Sequence, residues 1–413
     1  MGVPTSLRSR LGDRAPWLKR MYGVYWSARR VCRAAVSAAA APYFPPETTY
    51  VGSLGRVWAV SVESRAPSIA AFFCGEDVRA ASRGRVWWRS VPARVARIAD
   101  EGGLPIVRLL EPDRWPADLL RRAVVVPLLV DLHADLPADP DALAAQLVRG
   151  RTRGDFRRIR HGNFSYRITG DPAEISEFYA RYHAPLLADR FPEDGRVVPV
   201  EEMLDKLGQG GELVCVEIDG DWVAGIFNIA NERSYELGSL GIRDADETVR
   251  QKGVVAALVV RSFERAVELG LDRLWLGQSL PFLGRSSVYF KTKWGGVITR
   301  DLSIPELHMF IDLRHAATRR MLSATPLIHA EGDALVVSTW LAPGEKPVHD
   351  TIRDVGQFPG ISHWYVLGQP HTLAAADVRL SASERIVRVP VTLSDDRPLW
   401  LGETLAARQP PAP

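Results

Sequence analysis

Apolar positions along this chain recur at two spacings, and the elements they predict alternate throughout its length. Tyr50 to Val62, Ile69 to Phe73 and Val86 to Ser90 predict strands, Ala93 to Asp100 a helix, Pro105 to Leu110 a strand and Trp115 to Arg122 a helix. Val124 to Leu132 is a continuous apolar run bounded by acids and proline, as expected of one buried strand in an α/β sheet. Asp139-Pro140-Asp141 offers an N-cap and a proline at the first helical position, so a helix runs from Ala142 into an arginine cluster. After a short strand (Tyr166 to Thr169), Asp171-Pro172-Ala173-Glu174 starts a helix reaching Ala188, and Val200 to Lys206 is a further helix. Glu212 to Ile218 and Trp222 to Ala230 are strands joined by the tight turn Asp219-Gly220. Ser234 to Ile242 is a third strand, followed by a long helix opening at Arg250-Gln251-Lys252-Gly253, a strand from Asp272 to Leu280, and a short helix ending in Phe290-Lys-Thr-Lys-Trp-Gly-Gly296. Beyond Pro305, Leu307 to Leu322 reads as helix, Leu335 to Leu341 and Ile386 to Leu393 as strands, and Asp350 to Val355 and Leu373 to Val378 as short helices.

A helix opening just beyond a strand presents unpaired N–H groups and the positive end of its dipole, a seat for phosphate. Arg250, Lys252 and Gly253 stand at that opening, with Gly allowing close approach to the backbone.

The length of 413 residues suggests two to three domains, and 46% hydrophobic with 24% charged residues fits a globular protein with a sizeable core. A net charge of +3 does not by itself imply nucleic acid, but basic residues cluster. Residues 1–41 hold Arg8, Arg10, Arg14, Lys19, Arg20, Arg29, Arg30 and Arg33 against the single acid Asp13. Aromatic Trp17, Tyr22, Tyr25 and Trp26 lie among them, so residues 6–40 read either as a helix packed on the main body, the reading preferred, or as an interfacial helix touching anionic lipid at the inner membrane face. Arg149, Arg151, Arg153, Arg157, Arg158 and Arg160 form the second cluster; Arg157 and Arg160 are candidate substrate-phosphate ligands, against a solvated helix end. Three widely spaced cysteines (Cys32, Cys74, Cys215) argue against a disulfide framework or zinc site, and the nine histidines show no ligand spacing, so no metal is expected. Cysteine usage fits a reducing cytoplasm; no apolar run approaches a membrane span, and a cleaved signal is not expected.

The order of three antiparallel strands, helix, strand and helix resembles the GNAT acyltransferase fold. Arg250-Gln-Lys-Gly253 keeps the basic residue and glycine of that family's pyrophosphate loop, with Val255 where a small residue is usual. Leu276-Gly-Gln-Ser279, Gly284 and Tyr289-Phe-Lys-Thr-Lys-Trp-Gly-Gly296 are similar to the FemAB-like branch, with Gln278 where arginine is frequent. The resemblance covers about residues 125–300. It implies an α/β (α+β) fold of tandem GNAT-like halves, each a mixed central sheet flanked by helices. The expected divisions are a basic helical segment (1–46), a degenerate half (47–160), a catalytic half (161–304) and a small α+β appendage (305–413).

The implied activity is N-acyl transfer by direct attack, moving an acyl group from acyl-CoA (acetyl-CoA) as co-substrate to an amine of a small-molecule or cell-envelope precursor. Two alternatives stand: an aminoacyl-tRNA donor, with the basic clusters meeting tRNA, and a non-catalytic binding protein. By the resemblance, Leu240, Ile242, Arg250, Lys252, Gly253, Val254 and Val255 line the donor site. Glu236 is the candidate base, or a paired strand carboxylate. Lys291 is the candidate phosphate ligand or oxyanion stabiliser, or a solvated lysine. Tyr289 is read as leaving-group acid or core tyrosine, and Gln278 and Ser279 as substrate ligands, with a turn cap as the other reading of Ser279.

Overall fold

Gly52 and Gly55 break the first predicted strand in two. A computed structural model describes residues 46–408, except 61, 63–65, 75–76, 109–114, 149, 191–198, 284–286, 344–357, 376–384 and 395–397. Within it, β1 (Pro46–Gly52) and β2 (Gly55–Val60) form an antiparallel hairpin. A side chain on Gly52 would collide with the Cys74 carbonyl, 2.5 Å from its Cβ position, so the chain turns there. The expected helix over 6–40, the short helix at 350–355 and Gly284 lie outside the described residues.

Ile69 to Phe73, expected as a strand, belongs to helix α1 (Ala66–Cys74). Its buried residues Ile69, Ala70, Phe73 and Cys74 recur every fourth position, the period of a helix packed on one face. Val86 to Ser90, also expected as a strand, is the exit from β3 (Arg79–Arg85) into a single helical turn at Trp88–Ser90. Helix α2 (Val91–Asp100), β4 (Leu104–Val107) and α3 (Ala117–Leu120) follow as expected in kind.

The apolar run at Val124 is two strands. β5 (Val124–Pro127) enters one sheet and β6 (Val130–Asp135) another, and the chain crosses between them at Leu128 and Leu129. Next come α4 (Pro140–Leu147), capped by Asp139; α5 (Arg153–His161); β7 (Phe164–Thr169); and α6 (Pro172–Phe178), capped by Asp171. A π-helical turn at Tyr179–His183 joins α6 to α7 (Ala184–Arg190), and α8 (Val200–Asp205) follows. Strands β8 (Gly211–Ile218), β9 (Asp221–Ala230) and β10 (Ser234–Ile242) run antiparallel. The predicted long helix is split at Gly253 into α9 (Glu247–Gln251) and α10 (Val254–Glu268). Then come β11 (Arg273–Ser279), α11 (Ser287–Lys293) and β12 (Val297–Thr299).

Leu307 to Leu322, expected as helix, begins as β13 (Glu306–Met309) and becomes helical only at α12 (Ala316–Ala324). Between them the fully buried Asp312 accepts hydrogen bonds from the Arg314 backbone and guanidinium, which fixes the turn. β14 (Leu327–Glu331), β15 (Ala334–Leu341), β16 (Ile361–Gly368), α13 (Pro370–Ala375), β17 (Ile386–Pro390) and α14 (Leu401–Ala406) complete the chain.

The α/β class expected from the sequence is the one observed: two mixed sheets with helices on their faces. A ten-stranded sheet has the order β17-β16-β15-β14-β5-β13-β4-β2-β1-β3, and a seven-stranded sheet the order β12-β6-β11-β10-β9-β8-β7. The strands of residues 305–413 all join the first sheet, where β13 and β14 flank β5 on either side. One hydrophobic cluster joins the sheets: Leu132, Tyr235, Leu274 and Leu276 from the second meet Ile328, Val337 and Trp364 from the first, with Val288 and Trp294 among them. No helix among the described residues is long and apolar enough to cross a membrane.

Candidate active site

β10 and β11 are parallel neighbours for three residue pairs only: Ser234 with Arg273, Tyr235 with Leu274 and Glu236 with Trp275. Beyond Glu236, β10 stays with β9, and beyond Trp275, β11 stays with β6. Register shifts fall at the point of parting in both strands, between Leu237 and Ser239 and between Trp275 and Gly277. Such bulges bend a strand and increase its twist, so the two arms diverge into a fork. Gly277 takes a positive φ of 81°, which a side chain would resist.

Glu236 and Trp275 form the last pair before the fork. Alternate residues divide the faces of the sheet here. Tyr235, Leu274 and Leu276 pack with Val259 and Phe263 of α10. Glu236, Trp275, Asp131 and His133 face the other way, onto a cleft of about 740 Å³. Glu236 is half-buried, and desolvation raises its carboxyl pKa, against the opposing influence of Lys206 and a hydrogen bond from Asn231.

Lys291 reaches the other arm from α11. Its Nζ donates to the Gln278 carbonyl at 2.8 Å and lies 3.5 Å from where a Cβ on Gly277 would stand. Burial pushes its pKa down to about 8, with the charge of Asp131 acting in the opposite sense. Glu236 thus stands at the crotch of the fork and Lys291 beside its β11 arm, and Lys291 is not among the residues that line the cleft Glu236 faces.

Tyr289 is placed elsewhere. It sits two residues before Lys291 on α11, roughly 200° around the helix. Its ring lies 4.2 Å from the Arg151 guanidinium carbon and packs against Phe358. The Gln278 side chain is exposed, and only its carbonyl serves Lys291. Ser279 is buried, with its Oγ 2.5 Å from Ser287 Oγ, so it ties the end of β11 to the start of α11.

At the α10 opening, Gly253 is the N-cap residue with φ 94° and no side-chain cap. A Cβ there would stand 2.9 Å from Arg158 Cβ, so α5 lies directly against the opening. Arg158, with a largely exposed guanidinium, is therefore the α5 residue at this point, while Arg157 and Arg160 point to solvent. Arg250, expected at the opening, sits in α9 and pairs with Glu247; Lys252 is exposed. Val254 and Ile242 are fully buried, and Val255 and Leu240 pack against the same cluster. The Leu240 carbonyl accepts a hydrogen bond from His183 Nδ1 at 2.8 Å. A carbonyl cannot donate, so His183 carries its proton on Nδ1, and its buried Nε2 has no hydrogen-bond partner. Burial lowers the His183 pKa, which favours this neutral ring.

Asp131, His133 and Trp275 were not identified as site residues from the sequence. Their signal was the alternation Asp131, His133, Asp135 against Leu132 and Ala134, hidden by the apolar run that precedes it. Among the described residues no group of His, Cys, Asp and Glu is arranged to hold a metal ion. Cys74 and Cys215 are buried free thiols whose pKa values burial pushes up to about 11 and about 12, unlike an activated nucleophile.

Residues 146–282 match the family model described as an acetyltransferase (GNAT) domain. No curated protein matches the chain. Among solved structures, it is similar to FemX (10% identity, 56% of this chain and 80% of that chain, TM-score 0.35). It is also similar to a GCN5-related N-acetyltransferase from Kribbella flavida (16% identity, 56% and 79%, TM-score 0.24) and to L-PGS from Bacillus licheniformis (11% identity, 64% and 81%, TM-score 0.31).

Proposed function

We propose that the protein is an N-acyltransferase that moves an acyl group from acyl-CoA to an amine by direct attack, a reading supported by the match of residues 146–282 to the acetyltransferase (GNAT) domain model. The observation that carries this reading is the fork: a half-buried carboxylate of raised pKa at its crotch and a desolvated ammonium on one arm.

The chain offers groups that fit the donor. The first turn of α10 has free N–H groups beyond an uncapped Gly253, with the Arg158 guanidinium beside it; together they would hold a diphosphate. His183 already takes one of the two acceptor positions of the Leu240 carbonyl, so a pantetheine arm bonding there would share that oxygen with His183. When bound, acyl-CoA supplies the thioester whose C–S bond breaks as a C–N bond forms.

Glu236 takes one proton from the acceptor ammonium, directly or through water, which frees the nitrogen lone pair for attack. Its raised pKa brings it closer to the strength a base needs near neutral pH. Lys291 presents its ammonium to the carbonyl oxygen as negative charge develops there. The tetrahedral adduct gives up its second nitrogen proton to solvent as it collapses to the amide, and the sulfur leaves as a thiolate that takes one proton back from solvent. Glu236 then returns its proton to water, so one proton is released per amide formed from an ammonium and a thioester.

A thermal-shift series with CoA, acetyl-CoA and total tRNA tests the donor. CoA and acetyl-CoA are expected to raise the melting temperature, and tRNA is not. Stabilisation by tRNA alone would replace the donor by aminoacyl-tRNA, which the exposed Arg153, Arg157 and Arg160 support among the described residues. CoA binding without CoA release from any amine, in the wild type as in a Glu236→Gln, Lys291→Met double variant, would favour a non-catalytic binding protein.

A further inference from the structure

The cleft beside the fork is lined by four carboxylates (Asp131, Asp135, Glu236 and Asp272) against two guanidiniums (Arg233 and Arg273). The guanidiniums are already neutralised. Arg273 Nε lies 3.1 Å from Asp135 Oδ1, and Arg233 lies 2.8 Å from Asp272 Oδ2. His133 adds no charge: burial and the nearby Arg273 hold its pKa below the ordinary imidazole value. What remains is Asp131 and Glu236, neither of which is in an ion pair among the described residues. Lys206 acts on Glu236 and the charge of Asp131 acts on Lys291, both lysines standing outside the lining, and neither forms an ion pair with these carboxylates among the described residues. Asp131 Oδ1 is buried without any hydrogen-bond partner, a costly state for a carboxylate oxygen unless a ligand completes it.

The spacing of these two groups sets the shape of what they recognise. Glu236 pairs with Trp275, and Trp275 in turn pairs with His133 on β6. Asp131 lies on β6 as well, further along toward the β11 arm, opposite Gln278. Strands two apart lie about 10 Å from each other. One ammonium therefore cannot satisfy both carboxylates, whereas two cationic centres on one flexible molecule can. Trp275, between them, offers an indole face over which a cationic chain can lie.

We infer that the cleft selects an acceptor amine carrying a second positive charge, with the reacting nitrogen at Glu236 and the remote cation held by Asp131 against Trp275. The inference rests on the acyltransferase reading for which nitrogen reacts, but not for the binding itself. A neutral tail leaves Asp131 unsatisfied, and an anionic tail is repelled by it.

Calorimetric titration of the full-length protein, without donor, tests this with three amines of one length: cadaverine, n-pentylamine and aminovalerate. Cadaverine is expected to bind at least tenfold more tightly than n-pentylamine, with aminovalerate weakest. Asp131→Asn is expected to cost cadaverine about tenfold and to leave n-pentylamine little changed. With acetyl-CoA, the same variant raises KM for cadaverine more than it lowers kcat. Equal binding of the three amines, no binding of any, or an unaltered cadaverine affinity in a folded Asp131→Asn protein overturns the inference. The wild-type ranking stands without any variant, so a variant that does not fold leaves the test intact. Tight cadaverine binding with no CoA release from any amine overturns the acyltransferase reading instead.

Discussion

Glu236 and Lys291 are opposite cases of one effect. Burial penalises whichever form is charged, so it raises the carboxyl and lowers the ammonium. Replacing Glu236 by Gln keeps the shape and removes the base, and kcat with acetyl-CoA is expected to fall about a hundredfold or more. Lys291 makes two predictions of definite sign. Its folded pKa of about 8 lies below the unfolded value of 10.5, so between these the unfolded chain binds the extra proton. Stability of the wild type relative to Lys291→Met should therefore rise as pH increases through that window, measured by urea unfolding of both proteins. Activity runs the other way. Oxyanion stabilisation is lost as Lys291 deprotonates, so kcat should fall above about pH 8, and Lys291→Arg should move that limb upward. Both residues could be singled out in the sequence as candidates through the family resemblance of the stretches that hold them. Asp131 was not, because its role comes from register: only pairing with β11 and β12 places it beside the fork.

At the scale of elements, the errors of the sequence reading share a cause. Periodicity reports burial but not which sheet or which neighbour does the burying. Val124 to Val130 carries no charge or hydrogen-bonding side chain, and both β5 and β6 have buried residues, yet they are buried in different sheets. Ile69 to Phe73 is too short to separate a strand from one packed helical face. The split of the long helix at Gly253 was missed because its cause is tertiary. Gly253 has a left-handed φ of 94°, and Arg158 of α5 lies so close that a side chain at this position would meet its Cβ at 2.9 Å. Gly253→Ala combines a strained φ with that close approach. It should cost about 1–3 kcal/mol in urea unfolding and weaken CoA binding in the same protein.

The whole molecule carries a pH dependence separate from the fork. His308 and His329 are buried in the ten-stranded sheet, and desolvation pushes both pKa values down from 6.5 to about 4. Their imidazoles are neutral when folded, while the unfolded chain takes up protons below 6.5. Stability is thus expected to fall between about pH 6.5 and pH 4. His329→Gln, which can still meet Ser338, should flatten that slope when urea midpoints are compared at pH 7 and pH 5. The mixed sheets were legible from the alternation of strand and helix signals. The joining of the last hundred-odd residues to the first sheet was not, because a strand's partner leaves no trace in its own pattern.

That joining has a consequence for synthesis. Both neighbours of β5 are encoded after the whole of the second sheet. A nascent chain leaving the ribosome can therefore finish the second sheet while Val124–Pro127 still lacks both of its neighbouring strands. Until Glu306 and the residues beyond it emerge, that hydrophobic ribbon has two unpaired edges, and a polypeptide ending before Glu306 is expected to aggregate more readily than the full chain when the two are compared by sedimentation.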